Sequence, residues 1–182
     1  MSDELPEQKA TASFSQALTG CTIVTRKTIP QARVLASSFK RFHPESRFFA
    51  LLLDRNQKAK SIEGIEWISL PDLCLEPGDA DRLPLVCNLE EMARALKPAL
   101  LRTLLAAQGG VIACFDNDIK IFSALDDLAE KASQHSIVLF PISPAAADLK
   151  TYDPALIVIG AGSDVFLDWW KHLTRTQSYK NP

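Results

Sequence analysis

The chain has 182 residues, 47% of them hydrophobic, which is enough for one domain with a sizeable core. Its 20 Lys and Arg against 22 Asp and Glu leave a formal charge of -2, so there is no global basic footprint for nucleic acid. No apolar run nears the ~20 residues that a membrane helix needs, and the first ten residues lack the plan of a signal peptide. Four cysteines (Cys21, Cys74, Cys87, Cys114) form no Cys-x-x-Cys pair. Reduced thiols in a soluble cytoplasmic protein are the expectation, without a zinc site or disulfide framework.

Residues 1–19 have neither a hydrophobic period nor a dense apolar face and are expected to be a flexible leader, followed by one domain over 20–182. Residues 21–25 (CTIVT) read as a β-branched strand. Pro30 suits the first turn of a helix whose face carries Val34, Leu35, Ser38, Phe39 and Phe42, closed by Pro44. The nearly continuous apolar run 47–54 (RFFALLLD) reads as a strand buried on both faces, and 65–70 (IEWISL) as a third strand. Pro, Asp and Gly between 71 and 84 predict a loop with at most a short helical turn.

Asn88, with Glu91 three residues on, caps the next helix. Pro98 inside a helix would cost a hydrogen bond, so the sequence predicts a break at Leu96-Lys97. A second helix then runs from Pro98 through Leu100, Leu101, Leu104 and Leu105 to Gly109-Gly110. A strand follows at 111–115 (VIACF). Ser123 with Asp126 caps a helix through Ala132, and 136–140 (SIVLF) and 155–159 are further strands. Residues 163–176 form the last helix, with Phe166, Leu167, Trp170 and Leu173 on one face. Strands alternating with helices predict an α/β fold, a three-layer sandwich around a mainly parallel sheet.

Two carboxylates, Asp116 and Asp118, stand just past the 111–115 strand. If 111–115 is a buried strand, its period of two puts both on one face at its C-terminal end, where open α/β sheets bind ligands. Two hard oxygen ligands suit Mg²⁺ or Mn²⁺, with a substrate phosphate completing the coordination. The same residues also suit a plain strand-end turn held by local hydrogen bonds, and both readings stand at this point. Lys97, at the predicted helix start, opposes the helix dipole when bare but would help the free N–H groups hold an anion. An ordinary solvated lysine is the alternative. There is no Gly-x-Gly-x-x-Gly, P-loop or Gly-x-Ser-x-Gly elbow, and Gly160-Ala161-Gly162 reads as a turn. His43, His135 and His172 are scattered and read as surface or cap residues.

Leu96-Lys97-Pro98-x-Leu100-Leu101, Leu104-Leu105 and Cys114-Phe115-Asp116-Asn117-Asp118-Ile119 together resemble the GT-A glycosyltransferases, closest to the family-eight-like group. Thr22-Ile23-Val24-Thr25, the stretch from Pro30 to Ser38 and His43-Pro44 extend the match upstream. Ile121-Phe122-Ser123, Leu125, Leu128, Pro141 and Phe166-Leu167-Asp168-Trp169-Trp170 extend it downstream, so that it spans nearly everything from Cys21 to Trp170. The resemblance implies a nucleotide-diphospho-sugar donor, a UDP-sugar being favoured, with Asp116 and Asp118 holding Mn²⁺ or Mg²⁺ against the diphosphate. It sets Thr25 and Arg26 near the nucleoside, Lys97 near the diphosphate, Asn117 at the ribose or sugar, and Asp153 in the donor-binding stretch.

The chain also departs from that family. Asn117 replaces the usual Pro between the carboxylates, and Tyr152-Asp153-Pro154-Ala155 stands where the family reads Tyr-Asn-x-Gly. Ala155 adds a side chain where close approach to a sugar needs none, and Asp153 adds charge. Family members continue into a further subdomain that supplies the acceptor site and commonly a His metal ligand. The resemblance therefore implies a truncated donor half whose acceptor site comes from a partner chain or a missing C-terminal segment. No nucleophile or base can be assigned. Three readings follow: a glycosyltransferase or its donor-binding part; a non-catalytic, degenerate module keeping the fold and some nucleotide binding; and a haloacid-dehalogenase-like phosphatase. That last family carries Asp-x-Asp on its first strand, whereas several strands precede it here.

Overall fold

The computed structural model describes residues 17–54, 62, 64–142 and 152–178, with side chains described through residue 174. Its elements run β1 (Leu18–Val24), α1 (Ile29–Phe42), β2 (Phe48–Leu52), β3 (Glu66–Ile68), α2 (Asp79–Val86), α3 (Leu89–Gln108), β4 (Val111–Phe115), α4 (Asp126–His135), β5 (Ile137–Pro141), β6 (Tyr152–Ile159) and α5 (Asp164–Ser178). The strands form one six-stranded sheet in the order β3-β2-β1-β4-β6-β5. The β1–β2, β2–β3 and β1–β4 pairs are parallel, and β6 alone runs against its neighbours β4 and β5. The α/β class and the mainly parallel sheet are as the sequence predicts.

The strand period of two sorts the core into two faces. Cys21, Ile23, Phe49, Leu51, Ile112, Cys114, Ile157 and Ile159 pack under the layer of α2, α3 and α5. Val24, Phe48, Ala50, Leu52, Ala113, Phe115 and Val158 pack under α1 and α4. All residues of β1, β2 and β4 are buried, which accounts for their unbroken apolar sequence.

Four elements differ from expectation. The leader predicted over 1–19 gives way to strand at Leu18, because Leu18 and Thr19 pair with Val111 and Ile112 of β4; residues 1–16 lie outside the described residues. Where a loop is predicted before Pro84, α2 forms, with Asp79 and Asp81 in its first turn and Leu83 buried against the core. No break occurs at Leu96-Lys97: α3 runs unbroken for 20 residues with Pro98 inside it. Proline in a helix interior costs ~3 kcal/mol, but each buried Leu or Met side chain is worth ~1.5–3 kcal/mol. Met92 and Leu96 before Pro98, with Leu100, Leu101 and Leu104 after it, all bury on the same face, so tertiary packing outweighs the proline. Finally, α4 starts at Asp126 without the Ser123 cap. His43 from α1's end takes over that role, its Nε2 accepting the Leu125 N–H at 3.0 Å.

Candidate functional site

The sheet's strand order reverses at β1. The chain moves outward through β2 and β3, then crosses back to lay β4 on the other side of β1. In open α/β sheets the crevice outside the C-terminal strand ends at such a switch point is where ligands bind. Here that crevice lies between the ends of β1 and β4, and the predicted site residues collect around it.

On the β4 side the chain turns at once. The Ile119 N–H donates to the Asp116 carbonyl at 3.3 Å, closing a turn over 116–119. Asp116 and Asp118 therefore do not lie on one face of a continuing strand; the strand-end turn is the backbone geometry that forms. Asp116 is half-exposed and Asp118 exposed. Asn117 is partly buried, and its Nδ2 reaches across the crevice to the Ile23 carbonyl of β1, 3.5 Å away.

Lys97 is corrected most. It starts no helix and is not solvated: it sits within α3, only 6% exposed. Its Nζ donates to Asp116 Oδ1 at 2.6 Å and to the Pro154 carbonyl at 2.7 Å. A buried ammonium needs such partners, since leaving it unpaired costs several kcal/mol, of order ~3–5. Below it lie the Cys21 and Cys114 thiols, facing each other across β1 and β4. Burial, reinforced by the hydrogen bond to Cys114, pushes the Cys21 thiol well above its ordinary range.

The antiparallel run of β6 brings its beginning to the same edge. Leu156 pairs with Phe115, and the Asp116 N–H donates to the Ala155 carbonyl at 2.8 Å. Asp153 is exposed at this edge, where its Oδ1 accepts the Ala155 N–H at 2.9 Å.

On the β1 side, Thr25 caps a short 3₁₀ turn over Arg26–Thr28, with the Thr25 N–H on Thr28 Oγ1 at 3.0 Å. The Arg26 side chain is exposed while its N–H donates to Asp54 Oδ2 at 2.5 Å. Asp54, which holds this loop from the end of β2, is absent from the predicted set. Its signal was available: an apolar run ending in Asp, the same pattern that draws attention to Asp116. The Pro154 carbonyl has no such signal, because every residue carries that group.

The carboxylates at the turn give a short donor set. One Asp116 oxygen is engaged by Lys97, and no cluster of three or more His, Cys, Asp or Glu exists among the described residues. Such a set could hold a divalent cation only jointly with phosphate oxygens and water, and does not cage one by protein alone.

No protein-family model and no curated protein matches the chain. Solved structures do. The bifunctional glycosyltransferase WbbM superposes with a TM-score of 0.57 at 11% identity, over 92% of this chain and 35% of WbbM. The galactosyltransferase LgtC, in complex with donor and acceptor sugar analogs, gives 0.53 at 12% identity, over 89% of this chain and 61% of LgtC. Mouse xyloside xylosyltransferase 1 gives 0.51 at 11% identity, over 87% and 72%. The fold is thus that of the GT-A-like glycosyltransferases, and the chain spans about a third of WbbM and under two thirds of LgtC.

Proposed function

We propose that this chain binds a nucleotide-diphospho-sugar, a UDP-sugar being favoured, and serves as the donor-binding part of a glycosyltransferase. The observation that carries the reading is the convergence at the switch-point crevice. Asp116, Asn117, Asp118 and Asp153 rim one side of it, and Thr25 and Arg26 the other, with Asn117 reaching across. Exposed Arg26 lies where a nucleoside or phosphate would meet the β1 loop. Asp116 and Asp118 would hold Mn²⁺ or Mg²⁺ jointly with the donor's diphosphate. When bound, such a cation acts as a Lewis acid that stabilises the departing nucleoside diphosphate.

The chain's own residues have roles of position and charge. Lys97 holds Asp116 to the start of β6, so the carboxylate is oriented before any ligand arrives. Asp54 holds the Arg26 backbone and with it the loop that faces the nucleoside. Calorimetric titration with UDP in the presence and absence of Mn²⁺ tests the reading. Metal-dependent binding that is lost in the Asp116→Ala, Asp118→Ala double variant is expected; binding unchanged by that variant would sink the metal-bridged site.

A second reading, a binding module without turnover, is favoured by one observation: Asp116 already has its charge balanced by Lys97. Asp153 and Ala155, in place of the family's Asn and Gly, point the same way. A donor-hydrolysis assay separates the two. Slow release of free sugar from UDP-sugar supports the enzyme, while tight binding with no release supports the module.

A further inference from the structure

A different surface runs along the outer face of α1. That helix buries Ala32, Leu35, Ala36 and Phe39, which turns Arg33, Val34, Ser37 and Arg41 outward. Facing it is the segment 120–122, just past the Asp116 turn. Ser38 ties the two together: its Oγ accepts the Ile121 N–H at 3.0 Å and donates to the Leu35 carbonyl at 2.8 Å. An open groove lies between them, and among the described residues every charged residue lining it is a cation: Arg33, Lys40, Arg41 and Lys120. This concentration occurs in a chain whose net charge is -2. Lys40 is near Glu66 and its Nζ lies 3.4 Å from the Pro44 carbonyl. Among the described residues, Arg33, Arg41 and Lys120 pair with no carboxylate.

Apolar side chains stand exposed among these charges. Phe122 is 78% exposed and Val34 52%. The Lys120 ammonium lies 5.3 Å from the Phe122 ring centroid. A soluble polyanion would neutralise the cations and leave Phe122 and Val34 in water. An anionic lipid interface satisfies both at once, with headgroup phosphates on the cations and the apolar side chains at the acyl boundary. We propose that the outer face of α1, with residues 120–122, docks on an anionic phospholipid surface. Docking is reversible and weakened by salt, because exposed charges are screened within about 8 Å at physiological ionic strength. Lys120 is two residues past Asp118, and α1 begins three residues past Arg26, so a docked chain presents the rim of the switch-point crevice near the lipid surface.

Co-sedimentation of the full chain with vesicles of phosphatidylcholine alone, or of phosphatidylcholine mixed equally with phosphatidylglycerol, tests this. Binding to the mixed vesicles only, reversed by high salt, is expected. The Arg33→Gln, Arg41→Gln, Lys120→Gln triple variant should lose about ten-fold or more in affinity, and Arg94→Gln, a cation on α3, no more than about five-fold. Phe122→Ser should weaken mixed-vesicle binding while leaving heparin binding unchanged. All of these positions are exposed, so circular dichroism is expected to show an unchanged fold. Equal binding to both vesicles, or full binding by the triple variant, would overturn the proposal. Heparin binding at a salt where mixed vesicles do not bind would reassign the groove to a soluble polyanion. The proposal is independent of the donor reading, since UDP titration and vesicle binding fail separately.

Discussion

On the β3-β2-β1 side every strand runs parallel and ends on the crevice edge of the sheet, so its candidate site residues (Thr25, Arg26, Asp54) sit on loops that leave the strands. On the β4-β6-β5 side, β6 begins at the crevice, and a backbone carbonyl from its first residues enters the site. The first half is held there by hydrogen bonds between exposed groups, such as Arg26 N–H to Asp54. The second is held by a partly buried ion pair, the buried Lys97 ammonium to the half-exposed Asp116, with the Pro154 carbonyl as the ammonium's second acceptor. The contrast teaches where rigidity lies. A loop satisfied by solvent can adjust to a ligand, whereas a buried charge cannot be moved without cost.

The sharpest way to break this contrast is Lys97→Met. Removing the ammonium leaves the half-exposed Asp116 and the Pro154 carbonyl without their donor, and a loss of ~2–3 kcal/mol in urea unfolding is expected. Asp118→Ala, in the exposed part of the same turn, should stay within ~0.5 kcal/mol. Equal, small effects from both would mean that the Lys97–Asp116 pair adds no rigidity to the β4–β6 side.

Two glycines sharpen it further. A Cβ on Gly160, at the end of β6, would sit 2.5 Å from the Ala132 carbonyl oxygen, which is backbone and cannot yield cheaply. One on Gly20, in β1, would sit 2.6 Å from Cδ2 of the buried Phe48 ring, a side chain and not backbone. Gly160→Ala should cost ~2–3 kcal/mol and Gly20→Ala ~1–2 kcal/mol, read as urea midpoints at unchanged slope.

His43 links the halves from beneath, joining the end of α1 to the start of α4. Burial lowers its pKa below the ordinary 6.5, against the opposing pull of Asp126. The unfolded chain thus binds the proton more readily than the folded one. Stability should fall as pH drops through ~6.5 and level off below the folded value, with a slope of at most ~1.4 kcal/mol per pH unit from this group. Unfolding free energies at several pH values, with His43→Gln flattening the curve in that window, check it. A small effect also belongs to Arg47, whose guanidinium makes a two-pronged pair with Glu66 at the β2–β3 edge. The pair is half-exposed, so Arg47→Ala should cost no more than ~1 kcal/mol by thermal unfolding.

The amino-acid sequence by itself determined the alternation of strands and helices, and with it the α/β class. It also marked the apolar runs that end in aspartate, because burial on both faces writes itself into a strand as unbroken hydrophobic residues. Asp116, Asn117 and Asp118 were legible for that reason, and Asp54 could have been. Only the tertiary structure decided that α3 runs through Pro98, since the burial that outweighs the proline comes from the sheet it packs on. Through that same continuity Lys97 is buried against Asp116 instead of opening a helix toward an anion. The reversed direction of β6 was equally hidden, because local pattern carries a strand's period and burial but not which way it runs beside its neighbour. The two aspartates were visible in the chain; the charge and the carbonyl that hold one of them came from segments 19 and 38 residues away in opposite directions.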